Sequence, residues 1–305
     1  MSDKPDQEIK IGSHTLNLSN LDKVFWPHEG YTKGDVIEYY RTIAKVILPY
    51  LKDRPENLHR HPNGIEGESF YQKDVDHQPP SWVKIFPIHS ESTNKMVDYV
   101  VCNDEATLIY LANLACIELN PWSSRTRTLR KPDYSIIDLD PETISFDHVV
   151  ETAQVVHEIL EKAGVKHYAK TSGATGIHIV IPLEAKYTYE QSRDFAHLVA
   201  TLANQQLPKT TSLERSPAKR QRKIYLDYLQ NNFGQTLTAP YCLRPRPGAP
   251  VSTPLEWHEV KPGLDPKHFN IKNIHHRLQR VGDLWKPVIG KGIDLEIAMG
   301  KLSKV

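Results

Sequence analysis

Cysteine is scarce in this chain of 305 residues: Cys102, Cys116 and Cys242 are far apart and odd in number. No Cys-x-x-Cys pair occurs, so neither a disulfide framework nor a structural zinc site is expected, and a reduced, cytoplasmic setting is the simplest reading. No apolar run approaches the roughly 20 residues of a membrane helix. The opening "MSDKPDQEIKIGS" contains no apolar signal core, which argues against export and a membrane partner. An excess of one charge is missing too. The formal net charge is +1, so the balance does not advertise a nucleic-acid binder. It does not exclude one, because basic residues gather in "SPAKRQRKIYLDY" and "CLRPRPGAP". There are no repeats, and no glycine-rich loop ends in Gly-Lys-Ser/Thr. The absence of a Lys-x-Asp-Gly adenylation motif excludes a ligase active site within these residues.

What is present is a globular mix, 39% hydrophobic and 25% charged, long enough for one large domain or two smaller ones. "GDVIEYYRTIAKVILPYL" places Val36, Ile37, Tyr40, Ile43, Ile47, Leu48 and Leu51 at helical spacing. "YSIIDLDPE" reads as a strand, "FDHVVETAQVVHEILEKAG" as an amphipathic helix stopped at Gly164, and "VKHYAK" and "GIHIVIPL" as two more strands. Thr188 and Gln191 suit a capping box for the next helix, and "KIYLDYLQ" is a further strand. The alternation makes this half α/β. The first 130 residues are less regular, with "IKIGSHTLNLS" as a hairpin and "HRHPNGIEGESFYQK" as loop-rich. "NIKNIHHRLQR" and "DLEIAMGKL" read as helices or turns on the main body. We expect one domain over residues 1–305 with two lobes. The irregular lobe covers about 1–130, the α/β half about 131–260, and a C-terminal tail packs on the body.

Three strands carry unusual polar residues. In "YSIIDLDP", Ile137 and Leu139 point one way while Ile136, Asp138 and Asp140 point the other. Two carboxylates side by side repel each other and raise one pKa, a penalty that a divalent cation removes. Hard oxygen ligands suit Mg²⁺ or Mn²⁺. In "RKIYLDYLQ", Ile224, Leu226 and Tyr228 share one face, and Lys223, Tyr225 and Asp227 the other. If the two strands are neighbours, three carboxylates can hold two metal ions about 4 Å apart, as in-line phosphoryl transfer requires. The plain alternative is a strand end with turn-forming residues. In "KTSGATGIHIVIPL", Ile177, Ile179 and Ile181 face the core, with His178 and Val180 opposite. The loop from Ser172 and Gly173 to Gly176 offers amides and hydroxyls suited to phosphates. A lone strand histidine is otherwise a structural hydrogen-bonding residue.

"DLD", "SGATGIH" and "YLDYLQN", in this order and at these separations, resemble the three motifs of the archaeo-eukaryotic primase superfamily. The resemblance is closer to the polymerase domain of the ligase D proteins of prokaryotic non-homologous end joining. "LSNLDKVFWP", "YTKGDVIEYY", "SFYQKD", "ACIELNPW" and "APYCLRPRPGAPVSTPLEW" agree, so the likeness runs from about Ile11 to Trp257. It implies a primase-polymerase fold, with a central mixed or antiparallel sheet flanked by helices. It implies that Asp138, Asp140 and Asp227 are the catalytic, metal-holding carboxylates for two ions, Mn²⁺ or Mg²⁺. Ser172, Gly173, His178, Arg220, Gln230, Arg244 and Arg246 would line the nucleotide site. Asn20, Lys23 and Lys33 would grip a downstream DNA 5′-phosphate, and Phe70 and Tyr71 would stack on the template, where the family commonly has two phenylalanines. Asn120 stands where many relatives carry a histidine near the metal site.

The function implied is a template-directed nucleotidyltransferase of end-joining repair that extends DNA ends and fills short gaps, preferring ribonucleotides. Its partners would be DNA ends and gapped DNA with a 5′-phosphate, NTPs or dNTPs, a DNA ligase and a Ku-type end-binding protein, in a nucleoid-associated cytoplasmic setting. Chemistry favours the same roles: arginine forks match phosphate oxygens, and aromatic faces stack bases. Three rivals stay open on sequence: a de novo primase, a non-catalytic end-binding module and a metal-dependent nuclease. By themselves, Lys23 and Lys33 read as ordinary solvated lysines, Phe70 and Tyr71 as core residues, and "RPRPG" as a rigid turn.

Overall fold

Two units are visited in turn by the chain in a computed structural model that describes residues 7–75, 79–91 and 93–304. Residues up to Trp122, with 236–251 and 269–279, make the first unit. Residues 123–235, 252–268 and those from Arg280 onward make the second.

The first unit opens with the expected hairpin, β1 (Gln7–Ile11) and β2 (His14–Leu18). A second short pair, β3 (Val24–Trp26) and β4 (Tyr31–Thr32), leads into α1 (Lys33–Leu51). Thr32 caps α1: its hydroxyl accepts from the Asp35 amide, and the Asp35 carboxylate accepts from the Thr32 amide. Six of the seven residues at helical spacing, Val36, Ile37, Tyr40, Ile43, Ile47 and Leu51, are buried, while Leu48 is half-buried. β5 (Glu56–Arg60) then pairs on one side with β6 (Phe70–Gln72). On its other side it pairs with β9 (Cys116–Pro121), which follows hairpin β7 (Lys84–Ser90)–β8 (Lys95–Val101) and helix α2 (Glu105–Asn113).

The second unit is built on a six-stranded sheet. Its members are β10 (Tyr134–Pro141), β11 (Tyr168–Thr171), β12 (Ile177–Pro182), β13 (Thr211–Ser212), β14 (Ile224–Asp227) and β15 (Pro254–Leu255), in the order β13-β14-β10-β12-β11-β15. Only β13 and β14 run parallel, so the sheet is mixed, as expected. Helix α3 (Phe146–Lys162) leaves β10, and Gly164 ends it at φ +66°. Helix α4 (Tyr189–Gln206) carries the Thr188–Gln191 capping box read from sequence. Of two short helices near the end of the chain, α5 (Ile274–Val281) falls mostly in the first unit and α6 (Leu295–Leu302) in the second.

The sheet has two chemically distinct faces. Ile137, Leu139, Ile177, Ile179 and Ile181 are fully buried. Ser135 shares the face of Ile137, and its hydroxyl donates to the Ser192 carbonyl of α4, so α4 covers this side, with α3 packed beside it. One expectation fails. The strand read as "KIYLDYLQ" ends at Asp227, and Leu229–Asn231 forms a 3₁₀ turn, so Tyr228 does not join the face of Leu226. The reason is Asn231. Its side-chain amide accepts from the Ile136 N–H and donates to the Ile136 carbonyl. It thereby satisfies the edge of β10 where β14 stops.

Candidate active site

The strands expected to be neighbours pair directly. Asp138 is opposite Asp227 on β14 and opposite His178 on β12. Direct antiparallel partners project from the same face, with Cα atoms about 4.5–5.5 Å apart. The row continues through Lys170 of β11, the partner of His178, to Pro254 of β15. Asp140, two residues along β10, joins Asp138 on this face opposite Tyr225. Three carboxylates and one imidazole therefore meet on the face turned away from α4.

Their electrostatics differ from those of a satisfied cluster. Burial pushes the Asp227 carboxyl above its ordinary value. Its bond from the Leu229 amide, at 2.9 Å, pulls it down, and the charge of Asp140 pushes it up again. Burial also raises Asp140, against the pull of Arg220, whose NH1 lies 3.4 Å from Asp140 Oδ2. Arg220 itself is fixed by the Glu214 and Arg215 carbonyls and lies over the Tyr225 ring at 4.1 Å. Carboxylates raised by burial and by neighbouring carboxylates, presenting only oxygen donors, fit a hard divalent cation. Gln230 follows on the 3₁₀ turn directly after Asp227.

His178 is 3% exposed and lies with Nε2 3.5 Å from Asp138 Oδ1. Its other nitrogen explains its orientation. The Lys170 ammonium donates to Nδ1 at 2.8 Å and to Ser252 Oγ at 2.6 Å. An ammonium has no acceptor, so Nδ1 accepts and the ring proton sits on Nε2, facing the carboxylates. Lys170, 1% exposed, was missed in the sequence. The available signal was its alternation: in "YAKTSGATGIH" Lys170 shares the strand's face with Tyr168, opposite to Ala169.

The loop before His178 is built tighter than its composition suggests. Ser172 Oγ accepts from the Ala174 and Gly176 amides, and the Ser172 amide donates to the Gly176 carbonyl. Three amides expected to be offered to phosphates are thus used by the loop itself. Gly173 turns the chain at φ +72°. A Cβ on Gly176 would lie 2.4 Å from the Leu139 carbonyl oxygen, so only glycine lets the loop meet β10.

The remaining residues belong to the first unit. Asn20 turns the chain at φ +54°, the Lys23 amide bonds back to its carbonyl, and the Lys33 amide donates to the Lys23 carbonyl. Asn20, Lys23 and Lys33 are therefore gathered at the start of α1. Lys33 is not an ordinary solvated lysine. It is buried, and its ammonium donates to the Ser19 carbonyl at 2.7 Å, while Lys23 is exposed and donates to Asn63. Phe70 and Tyr71 are exposed, not core, and occupy consecutive positions of β6, so they point to opposite faces. Tyr71 stacks on His59 at 4.1 Å, and Phe70 lies beneath Arg60 at 5.2 Å. Arg244 Nε lies 3.2 Å from the buried Glu118 carboxylate, and NH1 donates to Thr238. Arg246 is exposed in a loop closed by Arg244 N–H donating to the Pro250 carbonyl. Asn120 is buried, bonded to the Asn57 carbonyl and the Thr238 hydroxyl.

The comparisons with known proteins point one way. The family described as LigD, primase-polymerase domain, matches residues 32–285. This chain belongs to that family. It is 34% identical over 270 residues to the bifunctional non-homologous end joining protein LigD of Bacillus subtilis (strain 168), covering 88% of this chain and 43% of that one. It is 31% identical to the multifunctional LigD of Mycolicibacterium smegmatis, over 90% of this chain and 36% of the relative. The chain thus spans less than half the length of these relatives. The solved polymerase domain from Mycobacterium tuberculosis ligase D, in complex with DNA, superposes with a TM-score of 0.83 at 26% identity, covering 91% of this chain and 99% of that one. Among the described residues no helix is long and apolar enough to cross a membrane.

Proposed function

We propose that the chain is a template-directed, metal-dependent nucleotidyltransferase that extends DNA ends and fills short gaps in non-homologous end joining, with residues 1–305 working as one catalytic domain. The observation that carries this is the cross-strand row Asp227–Asp138–His178, with Asp140 on the same face. Family membership and the DNA-bound state of the similar polymerase domain support it.

Asp138, Asp140 and Asp227 would hold the ions, Mn²⁺ or Mg²⁺. Two bound cations would make the primer 3′-hydroxyl a better nucleophile and neutralise the triphosphate. The protein's own contribution is positioning. His178, locked by Lys170 with its proton on Nε2, donates to charge developing on the leaving pyrophosphate. Ser172 and Gly173 shape the loop beside it, while Arg220 and Gln230 edge the carboxylates where phosphate oxygens need donors. We assign Arg244 and Arg246 to the nucleotide as well. Asn20, Lys23 and Lys33 at the start of α1 suit a 5′-phosphate, since lysines and a helix N-terminus both favour an anion. The exposed rings of Phe70 and Tyr71 suit a template base. The same reading includes a preference for ribonucleotides, a ligase and a Ku-type protein as partners, and a cytoplasmic, nucleoid-associated location.

The test is incorporation on gapped DNA with a downstream 5′-phosphate, with Mn²⁺ and with NTPs and dNTPs supplied separately. Asp138→Ala should cut templated addition by on the order of 10³-fold or more, and a gap lacking the phosphate should be used less well. Intact DNA binding with no incorporation by the wild-type protein would leave a non-catalytic end-binding module.

A further inference from the structure

We propose a second metal site, on the helix side of the sheet, in which His157, Glu161 and His167 bind Zn²⁺. It uses none of the residues assigned above. Its ligand atoms all lie within 4.8 Å of one another.

The local fold explains the meeting. His157 and Glu161 are four residues apart on α3 and share one face. Gly164 then turns the chain, with the Gly164 amide donating to the Glu161 carbonyl and the Val165 amide to the Leu160 carbonyl. This brings His167 back against the helix. His167 Nδ1 lies 2.7 Å from the Val165 carbonyl, and His157 Nδ1 lies 2.7 Å from His167 Nε2. A carbonyl only accepts, so Nδ1 of His167 carries the proton, and its Nε2 accepts from His157 Nδ1; ligation by both rings moves the His157 proton to its other nitrogen and frees both lone pairs. Fixing a ligating imidazole through a carbonyl on its far nitrogen is the usual outer-shell arrangement of histidine metal sites.

Trp257 holds both rings. It stacks on His157 at 4.0 Å and 13°, and its indole N–H donates to the His167 carbonyl at 3.3 Å. His167 is buried, while Glu161 is exposed, which leaves the cluster open to an incoming ion. Tetrahedral donors at Zn–N and Zn–O lengths of about 2.0–2.1 Å stand about 3.3 Å apart. The two rings must therefore separate by about 0.6 Å, and the Glu161 side chain must close in. Two imidazoles and one carboxylate select Zn²⁺ over the harder ions that suit the all-oxygen aspartate cluster, and a water would complete the fourth position.

The test uses metal-free protein carrying Asp138→Ala, which disables the aspartate cluster. Titration with Zn²⁺ by calorimetry, and with Co²⁺ by visible absorption, should give one ion per chain, a tetrahedral Co²⁺ spectrum and a rise in Tm. Adding His157→Phe, which keeps a ring on Trp257, should abolish all three. Adding the exposed Glu161→Gln should weaken binding about 10- to 100-fold. Zn²⁺ binding that is absent, or unchanged in His157→Phe, overturns the proposal.

Discussion

Glu118 on β9 and Asp227 on β14 are both strand carboxylates, and their surroundings treat them in opposite ways. Burial alone would raise the Glu118 carboxyl, yet Arg244, His59 and Thr238 more than offset it and hold it at about 2. Asp227 and Asp140 are left above their ordinary value, because burial, with the charge of Asp140 on Asp227 and of Glu142 on Asp140, exceeds the bonds they receive. The first unit thus spends its cations on closing a charge, and the second leaves a charge to be closed by something else. That difference marks a structural carboxylate off from a candidate ligand, and exposure agrees with it: Glu118 is buried, Asp227 half-buried and Asp140 exposed.

Breaking the closed case should have the larger effect on folding. Glu118→Gln removes the negative partner of Arg244 and His59 and should destabilise the protein by on the order of 3 kcal/mol at pH 7. The sign follows from linkage. A depressed folded pKa gives stability that is present above the ordinary value near 4.5 and is lost as pH falls towards about 2. Urea midpoints of wild type and Glu118→Gln should therefore converge between pH 4.5 and pH 2. A constant gap across that range would mean that packing, not charge, sets the cost.

In the second unit the backbone holds the carboxylates in place. Gly176→Ala puts a methyl group 2.4 Å from the Leu139 carbonyl oxygen, on the strand that carries Asp138 and Asp140. We expect a loss of about 1–3 kcal/mol in stability together with reduced incorporation. Lys170→Met tests the other support. It removes the donor that fixes His178, so kcat should fall about 10- to 100-fold with DNA binding unchanged. Lys170→Arg should recover part of the loss. Weakened DNA binding with kcat intact would show that Lys170 does not act through His178.

Much of this site was legible because side-chain alternation is strict. Once "YSIIDLDP", "GIHIVIPL" and "KIYLDYLQ" are strands, their polar faces follow, and only the pairing remains to be found. The pairing of β10 with β12 and β14 is nonlocal. Lys170 escaped notice although its pairing is local, because its role depends on standing opposite His178 across the hairpin turn, which a lysine in a polar stretch does not announce. Asn231 was hidden because its bonds reach Ile136, 95 residues away. The first unit was harder. β7, β8 and α2 lie in a stretch where charged and apolar residues alternate imperfectly, and Lys33 looks solvated until α1 and Ser19 enclose it. Nothing in the composition marks residues 236–251 as returning to the first unit, because that return is made by isolated contacts such as the Ala239 amide donating to the Leu119 carbonyl.

The smallest expected effect bears most directly on the comparison. A carboxyl whose folded pKa is raised resists ionisation in the folded state, so stability is greatest below the ordinary value of 3.8 and is lost as pH rises through the folded value. At pH 7 the charge on Asp227 therefore opposes folding when no cation is bound. Asp227→Asn should raise Tm in chelator by roughly 2 °C, the scale of about 1 kcal/mol in a chain of this size. The same variant should lose the further rise that Mn²⁺ gives the wild type, because binding to the native state alone is what produces that rise. Below pH 3.8 the chelated proteins should converge, since neither then carries the charge. If Asp227→Asn is instead less stable in chelator at pH 7, Asp227 is held as Glu118 is held, and the second unit closes its charge by itself.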